Sequence, residues 1–321
     1  MKPLVSVCCI TYNQEKYIGE AIESFLMQKT NFGIEIIVND DCSTDKTAEI
    51  IETYEKKHPE LIRAIYQSKN QYSKGKKPLD DCILPFVNGK YLAICEGDDY
   101  WTDKYKLQKQ VDFLENNSDY GMCFHKVRVV DVKGEQKNKV WAEHLGRKSR
   151  QIPIRKIGVP ETVHLSSTVI KTNLYKVEKP KWVKNAIHGD YALALYMAVN
   201  SKVFFINEIM SAYRAGVANS LMTKRKKQAD KSNEINYQKN RIETLKMADE
   251  CYGYEFNKEF TFINMGSELK IKMLEKNLDI SFFKNLFNYI YGTKDFKILK
   301  AFIFLNLPKS AHILKILRNK L

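Results

Sequence analysis

The chain has 321 residues, 44% of them hydrophobic and 28% charged, with only 14 Gly and 8 Pro. That composition excludes a disordered, fibrous or low-complexity chain, and at ~100–200 residues per domain the length allows one large domain with an appendage, or two smaller ones. The 52 Lys and Arg outnumber the 38 Asp and Glu, for a net charge of +14, which points to an anionic partner: nucleic acid, a phosphate-rich ligand or an acidic membrane surface.

Residues 4–10 are a continuous apolar run bounded by polar residues, and predict a buried strand. Residues 15–28 predict a helix, because Tyr17, Ile18, Ala21, Ile22, Phe25 and Leu26 recur at the 3–4 spacing; Asn13 is its expected N-cap. Strands follow at 35–39, 61–66 and 90–95, and helices at 44–58, 79–87 and 103–115, the last capped by Thr102. This alternation implies an α/β fold with a doubly wound, mostly parallel sheet. Further strands are expected at 121–130, 164–170 and 203–209, and a helix at 190–199. Residues 131–160 are polar and rich in Lys and Arg, and read as a long loop or flap. The character changes near residue 220. Residues 1–220 are therefore expected to form the α/β domain and residues 221–321 a basic helical C-terminal region.

Apolar runs such as those at 91–95 and 302–305 fall far short of the ~18 residues of a membrane-spanning helix. The N-terminus lacks the small-residue cleavage site of a signal peptide. The 7 cysteines are odd in number and include no CxxC pair. Cys8, Cys9, Cys82, Cys95 and Cys123 lie in apolar runs, as buried thiols do. These features predict a cytoplasmic chain without a disulfide framework or a zinc site.

The acidic residues fall where strands end. Thr11, Tyr12 and Asn13 follow the first strand, Asp40 and Asp41 the second, and Glu96, Asp98 and Asp99 the fourth. In a doubly wound sheet those loops share one edge, and ligands bind there. Carboxylates gathered in one cleft of a basic protein repel one another, and a divalent cation relieves the repulsion. Mg or Mn binds through one or two carboxylates and leaves positions for phosphate oxygens. The pattern suggests a metal-bridged nucleoside diphosphate; for each pair the plain alternative is an exposed turn or helix cap. No GxGxxG or GxxxxGK[ST] loop and no GxSxG elbow is present, which disfavours a dinucleotide-dependent dehydrogenase, a P-loop NTPase and an α/β-hydrolase.

The runs VSVCCITYNQEKYIGEAIES, IIVNDDCSTDKT, NGKYLAICEGDDYWTDKYKLQKQVDFLE and HGDYALALYMA resemble glycosyltransferase family 2, the GT-A fold of bacterial polysaccharide enzymes, over about residues 4–215. The resemblance implies an inverting, metal-dependent transferase that moves a sugar from a nucleoside-diphosphate donor, UDP-linked by expectation, to a hydroxyl of a glycan or lipid-linked acceptor. It implies that Asp41, beside Asp40, accepts from the nucleobase. Thr11, Tyr12 and Asn13 would pack on that base, and Asp98 and Asp99 would bind ribose and metal. Glu96 stands where many members have Asp. Asp190 matches the catalytic base, although Gly189 precedes it where Glu is usual. Arg214 belongs to a Tyr-Arg pair that Ala215 and Gly216 follow instead of His.

The residues themselves leave other readings open. Asp190 opens a helix and can be a cap alone. Glu96, Trp101, His188 and Arg214 are candidates for contacts with diphosphate or acceptor, but Trp101 can equally be core and His188 structural. Ser166, Ser167 and Thr168 either line an acceptor pocket or are ordinary strand hydroxyls, and His125 reads as a core residue. The rival functions are a sugar-nucleotide nucleotidyltransferase and a non-catalytic basic binding module. Residues 276–321 carry 9 Lys and Arg against 2 Asp, interleaved with aromatic and aliphatic residues. That pattern fits an anionic membrane surface, at the inner face of the cell membrane, or a helical bundle with a solvated basic face. No nucleic-acid-binding motif accompanies the charge.

Overall fold

The computed structural model describes residues 2–186, 189–218, 220, 222–223, 230–293, 298–299 and 302. The chain forms two compact units: residues 1–152, 163–178 and 200–223 make the first, and residues 153–162, 179–199 and 224–321 the second. The last passage between them, at 223/224, lies near the boundary expected at 220. Residues 153–162 and 179–199, read from the sequence as part of the α/β domain, group with the helical unit.

The first unit is built on a sheet of ten strands: β1 (Val5–Thr11), β2 (Ile34–Asp40), β3 (Ile62–Tyr66), β4 (Tyr91–Glu96), β5 (Tyr100–Trp101), β6 (Tyr120–Val130), β7 (Gln136–Trp141), β8 (Arg150–Gln151), β9 (Val169–Lys171) and β10 (Lys202–Arg214). Their order is β3-β2-β1-β4-β9-β6-β10-β5, with β7 on β6 and β8 on β10. Helices α1 (Ile18–Leu26), α2 (Thr47–Lys57) and α3 (Lys106–Asn116) flank it. The unbroken apolar runs of β1 and β4 are explained by their central place and by burial on both faces. Val5, Val7 and Cys9 of β1 share a core with Ile18, Ala21, Ile22 and Phe25 of α1 and with Leu107, Val111 and Leu114 of α3.

β1, β2, β3 and β4 are mutually parallel. β9 runs antiparallel to both β4 and β6, so β6 points the same way as β4, and β10 is parallel to β6. The carboxyl ends of β1 to β4, β6 and β10 therefore lie along one edge.

Several expected elements differ in extent. The stretch expected as a loop at 131–160 contributes β7 and β8; its polar residues suit strands exposed at the rim. The helix expected at 79–87 is a wide π-type turn, Pro78–Ile83, followed by a 3-10 turn, Leu84–Phe86. The strand expected at 164–170 begins with a 3-10 turn, Leu165–Ser167. All seven cysteines are free; Cys8, Cys9, Cys95 and Cys123 are buried as expected, while Cys82 is half-buried.

The second unit includes helices Gly189–Asn200, Lys231–Cys251, Asn257–Glu275 and Ile280–Thr293. Leu269, Met273, Phe282, Leu286 and Tyr289 form one of its cores. Among the described residues no helix is long and apolar enough to cross a membrane.

Candidate active site

Strand register brings the polar clusters together. Thr11 pairs with Asp40 across β1 and β2, and Ile10 pairs with Glu96 across β1 and β4. The loops after these strands are then laced to each other. Asn13 adopts the left-handed conformation, φ 53°, and its Oδ1 accepts the Thr44 N–H at 2.7 Å. Its own N–H donates to Ser43 Oγ at 2.9 Å. Asn13 is thus a clamp between two loops and not the expected N-cap of α1. Tyr12, beside it, is 43% exposed.

Asp40 and Asp41 are both buried. Asp40 Oδ2 accepts the Ser43 N–H at 3.0 Å, while Oδ1 has no hydrogen-bond partner. Asp41 holds the loop after β3: its two oxygens accept the N–H groups of Gln71 and Tyr72 at 2.7 and 3.1 Å. Gln71 in turn borders a cavity of about 360 Å³ lined by Ile65, Gln67, Lys76, Asp81, Cys82 and Phe86.

The acidic loop after β4 is packed against β1. A Cβ at Gly97 would lie 2.5 Å from Gln14 Oε1 and 2.8 Å from Thr11 Oγ1, so only glycine fits there. Thr11 Oγ1 donates to Gln14 Oε1 at 2.7 Å, and the Gln14 side chain favours the charged form of the Asp98 carboxyl. Asp98 is half-buried and Asp99 fully buried. Burial raises the pKa of Asp98, opposed by Arg214 and Gln14. Burial, then the charges of Asp98 and Glu96, hold the Asp99 carboxyl well above the usual carboxylate range. Asp99 Oδ2 has no hydrogen-bond partner.

Arg214 closes the arrangement from the end of β10. Its N–H donates to Asp99 Oδ1 at 2.9 Å and its Nε–H to the Asp98 carbonyl at 3.1 Å. Its Nη2 pairs with Glu20, and its guanidinium lies over the rings of Tyr17 and Tyr100, at 4.7 and 5.3 Å. The residue is 4% exposed. Arg214, expected as a diphosphate contact, braces the acidic loop from inside. Trp101 is also internal, as the core reading expected. It is 1% exposed, donates from Nε1 to the Ser166 carbonyl at 3.0 Å, and packs edge-on against Phe25. Ser166, Ser167 and Thr168 are buried, with their hydroxyls bonded to Ser211, the His164 carbonyl and the Leu165 carbonyl, so they line no acceptor pocket. His125 is buried, as expected, with Nδ1 2.8 Å from the Lys126 carbonyl oxygen.

His164 is a site residue that sequence reasoning missed. It lies between Trp141 and Tyr213, at 4.8 and 4.7 Å, with Nε2 3.7 Å from Asp99 Oδ2. Burial pushes its pKa down to about 4, so the ring is neutral and Asp99 gains no salt bridge from it at neutral pH. Gln14 and Glu20 were also missed. Gln14, in the turn before α1, and Glu20, on the face of α1, both look solvated in sequence, and only the return of β10 to this edge gives Glu20 its arginine.

Among the described residues no three His, Cys, Asp or Glu side chains are grouped to hold a metal ion by themselves. The donor chemistry nevertheless suits a hard cation shared with phosphate, which needs only one or two carboxylates. Asp98 and Asp99 are desolvated beside Glu96, and one Asp99 oxygen is unsatisfied. Asp190 lies in the second unit, in the first turn of helix Gly189–Asn200, half-buried, with Oδ1 accepting the Tyr191 N–H at 2.8 Å. His188 lies outside the described residues.

Comparisons with known proteins bear on the fold and the family. Residues 6–172 match the family model described as Glycosyl transferase family 2. An uncharacterized protein of Mycobacterium tuberculosis (strain ATCC 25618 / H37Rv) is 34% identical over 230 residues, 70% of this chain and 63% of that protein. The match thus spans less than two thirds of that relative's length. An uncharacterized glycosyltransferase of Methanocaldococcus jannaschii is 32% identical over 232 residues, 71% of this chain and 76% of that one. A UDP-Glc:alpha-D-GlcNAc-diphosphoundecaprenol beta-1,3-glucosyltransferase of Escherichia coli is 38% identical over 112 residues, 35% of this chain and 41% of that enzyme. Two solved structures share the fold. S. aureus TarS 1-349 in complex with UDP-GlcNAc gives a TM-score of 0.55 at 19% identity, covering 85% of this chain and 81% of that one. The mannosyltransferase PcManGT from Pyrobaculum calidifontis, in complex with GDP-Man and Mn2+, gives 0.58 at 12% identity, covering 95% and 86%. The architecture is that of a GT-A glycosyltransferase. The chain belongs to glycosyl transferase family 2.

Proposed function

We propose that the chain transfers a sugar from a nucleoside-diphosphate donor, with uracil as the base, to a hydroxyl of a glycan or lipid-linked acceptor. The observation that carries this reading is the half-buried Asp98 carboxylate at the sheet edge, on a loop clasped from within by Arg214 through Asp99 and the Asp98 carbonyl. Asp41 orders the loop beside a cavity large enough for a nucleoside, and Tyr12 offers an exposed ring against which a base can stack. The E. coli relative named above uses a UDP-linked donor and a diphosphoundecaprenol acceptor, which supports the same classes here.

In this reading Asp98 would hold a divalent cation, Mn or Mg, and Asp99 with Arg214 braces the loop that carries it. Such a cation stabilises negative charge developing on the departing diphosphate. Asp190 takes the proton of the acceptor hydroxyl as its oxygen bonds to the anomeric carbon. The bond from that carbon to the diphosphate oxygen breaks, and the nucleoside diphosphate leaves with the electron pair. Attack from the face opposite the leaving group inverts the anomeric centre.

The test is a panel of UDP- and GDP-sugars incubated with the protein and Mn or Mg, with released nucleoside diphosphate as the readout. Release from at least one UDP-sugar, dependent on the cation, is the expected result. Release from none of them would contradict the reading.

A further inference from the structure

Helix Ile280–Thr293 is apolar on two opposite faces. One face is internal: Phe282, Leu286 and Tyr289 are buried against Leu269 and Met273. The other is exposed. Ile280 is 90%, Phe287 70% and Tyr291 83% exposed. At about 100° per residue, Ile280, Lys284, Phe287 and Tyr291 fall within an arc of roughly 60°, a stripe ~16 Å long. Phe283, 40% exposed, flanks it. A surface this rich in large apolar side chains marks an interaction site. We propose that this stripe is the element by which the protein docks on an anionic lipid surface, independently of the donor and acceptor chemistry.

Charge selects lipid over the other occupants. The helix, ISFFKNLFNYIYGT, contains no Asp or Glu, and its one charged side chain, Lys284, sits in the middle of the stripe. Residues 276–321 have 9 basic residues and 2 acidic ones. A second copy of the stripe would bury Lys284 with no carboxylate to meet it, which is costly. Residues 303–321 contain no acidic residue and four Lys or Arg, so laying them on the stripe would set like charges together. At a membrane interface aromatic rings settle at the headgroup level and a lysine extends its ammonium to the phosphates. Basic residues add attraction to anionic headgroups.

The experiment is flotation of the full chain with vesicles of phosphatidylcholine alone or mixed with phosphatidylglycerol. The protein should float with the mixed vesicles, less so as salt is raised, and remain below with phosphatidylcholine alone. A Phe287→Ser/Tyr291→Ser variant should lose about tenfold or more in partition coefficient, with an unchanged far-UV spectrum and melting midpoint. Lys284→Glu, which leaves the aromatic rings in place, should weaken binding to the mixed vesicles selectively and serves if the double variant is misfolded. Failure of the wild type to bind either vesicle overturns the proposal. So does equal binding by the double or the Lys284→Glu variant. A wild-type dimer that the double variant turns into a monomer would assign the stripe to a second copy instead.

Discussion

The backbone N–H of Arg214 donates to Oδ1 of Asp99 at 2.9 Å, joining the end of β10 to the acidic loop after β4 across 115 residues of sequence. The same arginine returns its Nε–H to the Asp98 carbonyl. Asp99 is therefore part of the frame, and Asp98 is the carboxylate that the frame presents.

That division separates two variants. Asp99→Ala removes the acceptor for a buried N–H, and an unsatisfied buried group costs about 1–3 kcal/mol. Chemical denaturation should show that loss. Asp98→Asn preserves shape and keeps the loop's backbone bonds, so its unfolding midpoint should stay near wild type. A stable Asp99→Ala protein would contradict the assignment.

Asp41 should act on donor affinity through the loop it orders. Asp41→Ala leaves the Gln71 and Tyr72 N–H groups without their acceptors. Nucleotide affinity should fall by about tenfold or more, on the basis of ~1.5–3 kcal/mol for a charge-assisted bond. The turnover number at saturating donor should change much less. Titration calorimetry with UDP and initial rates read the two halves separately.

The first four strands, β1 to β4, were legible within one or two residues; β1 and β4, buried on both faces, leave continuous apolar runs. The ends of the helices were not. Residues 15–28 predict one helix, yet α1 starts at Ile18; before it, the Gln14 and Glu15 N–H groups are tied to Thr47, at the start of α2, and to Asp45. Periodicity cannot report such non-local ties. The acidic positions at the sheet edge were legible because chain order and strand direction fix them. The uses of Arg214, Trp101 and His164 were not, because each depends on partners far away in sequence: Glu20, Ser166 and Asp99.

Lys106 illustrates a cost hidden in the core. Its ammonium lies 4.2 Å from the Trp101 ring centroid, is fully buried, and has no hydrogen-bond partner. Burial pushes its pKa down to about 7. The unfolded chain holds this proton to a higher pH than the folded one, so the group's penalty is full below about pH 7 and fades as pH rises towards the ordinary lysine value. Lys106→Met should be more stable than wild type at pH 7. The difference should shrink by roughly 1.4 kcal/mol per pH unit between about pH 8 and 10. Denaturant unfolding of both proteins across that range checks the slope; a constant difference would mean that the lysine is charged in the fold.

Asp190→Asn keeps a side chain able to cap the first turn of its helix, so stability should change little. Loss of a general base typically lowers turnover about 10²–10⁴-fold. Donor affinity, measured by calorimetry, should remain near wild type. Normal turnover by the variant would reduce Asp190 to a helix residue and move the base elsewhere, with Glu161 and Asp131 the next carboxylates to test.

The central claim is that Asp98 presents a cation to a nucleoside-diphosphate sugar. Its most direct measurement is nucleoside diphosphate release from the best UDP-sugar by wild type, by wild type with chelator, and by Asp98→Asn confirmed as folded. Release by the wild type alone, restored after chelation by added Mn or Mg, is the expected result. Undiminished release with chelator or from Asp98→Asn would contradict the account.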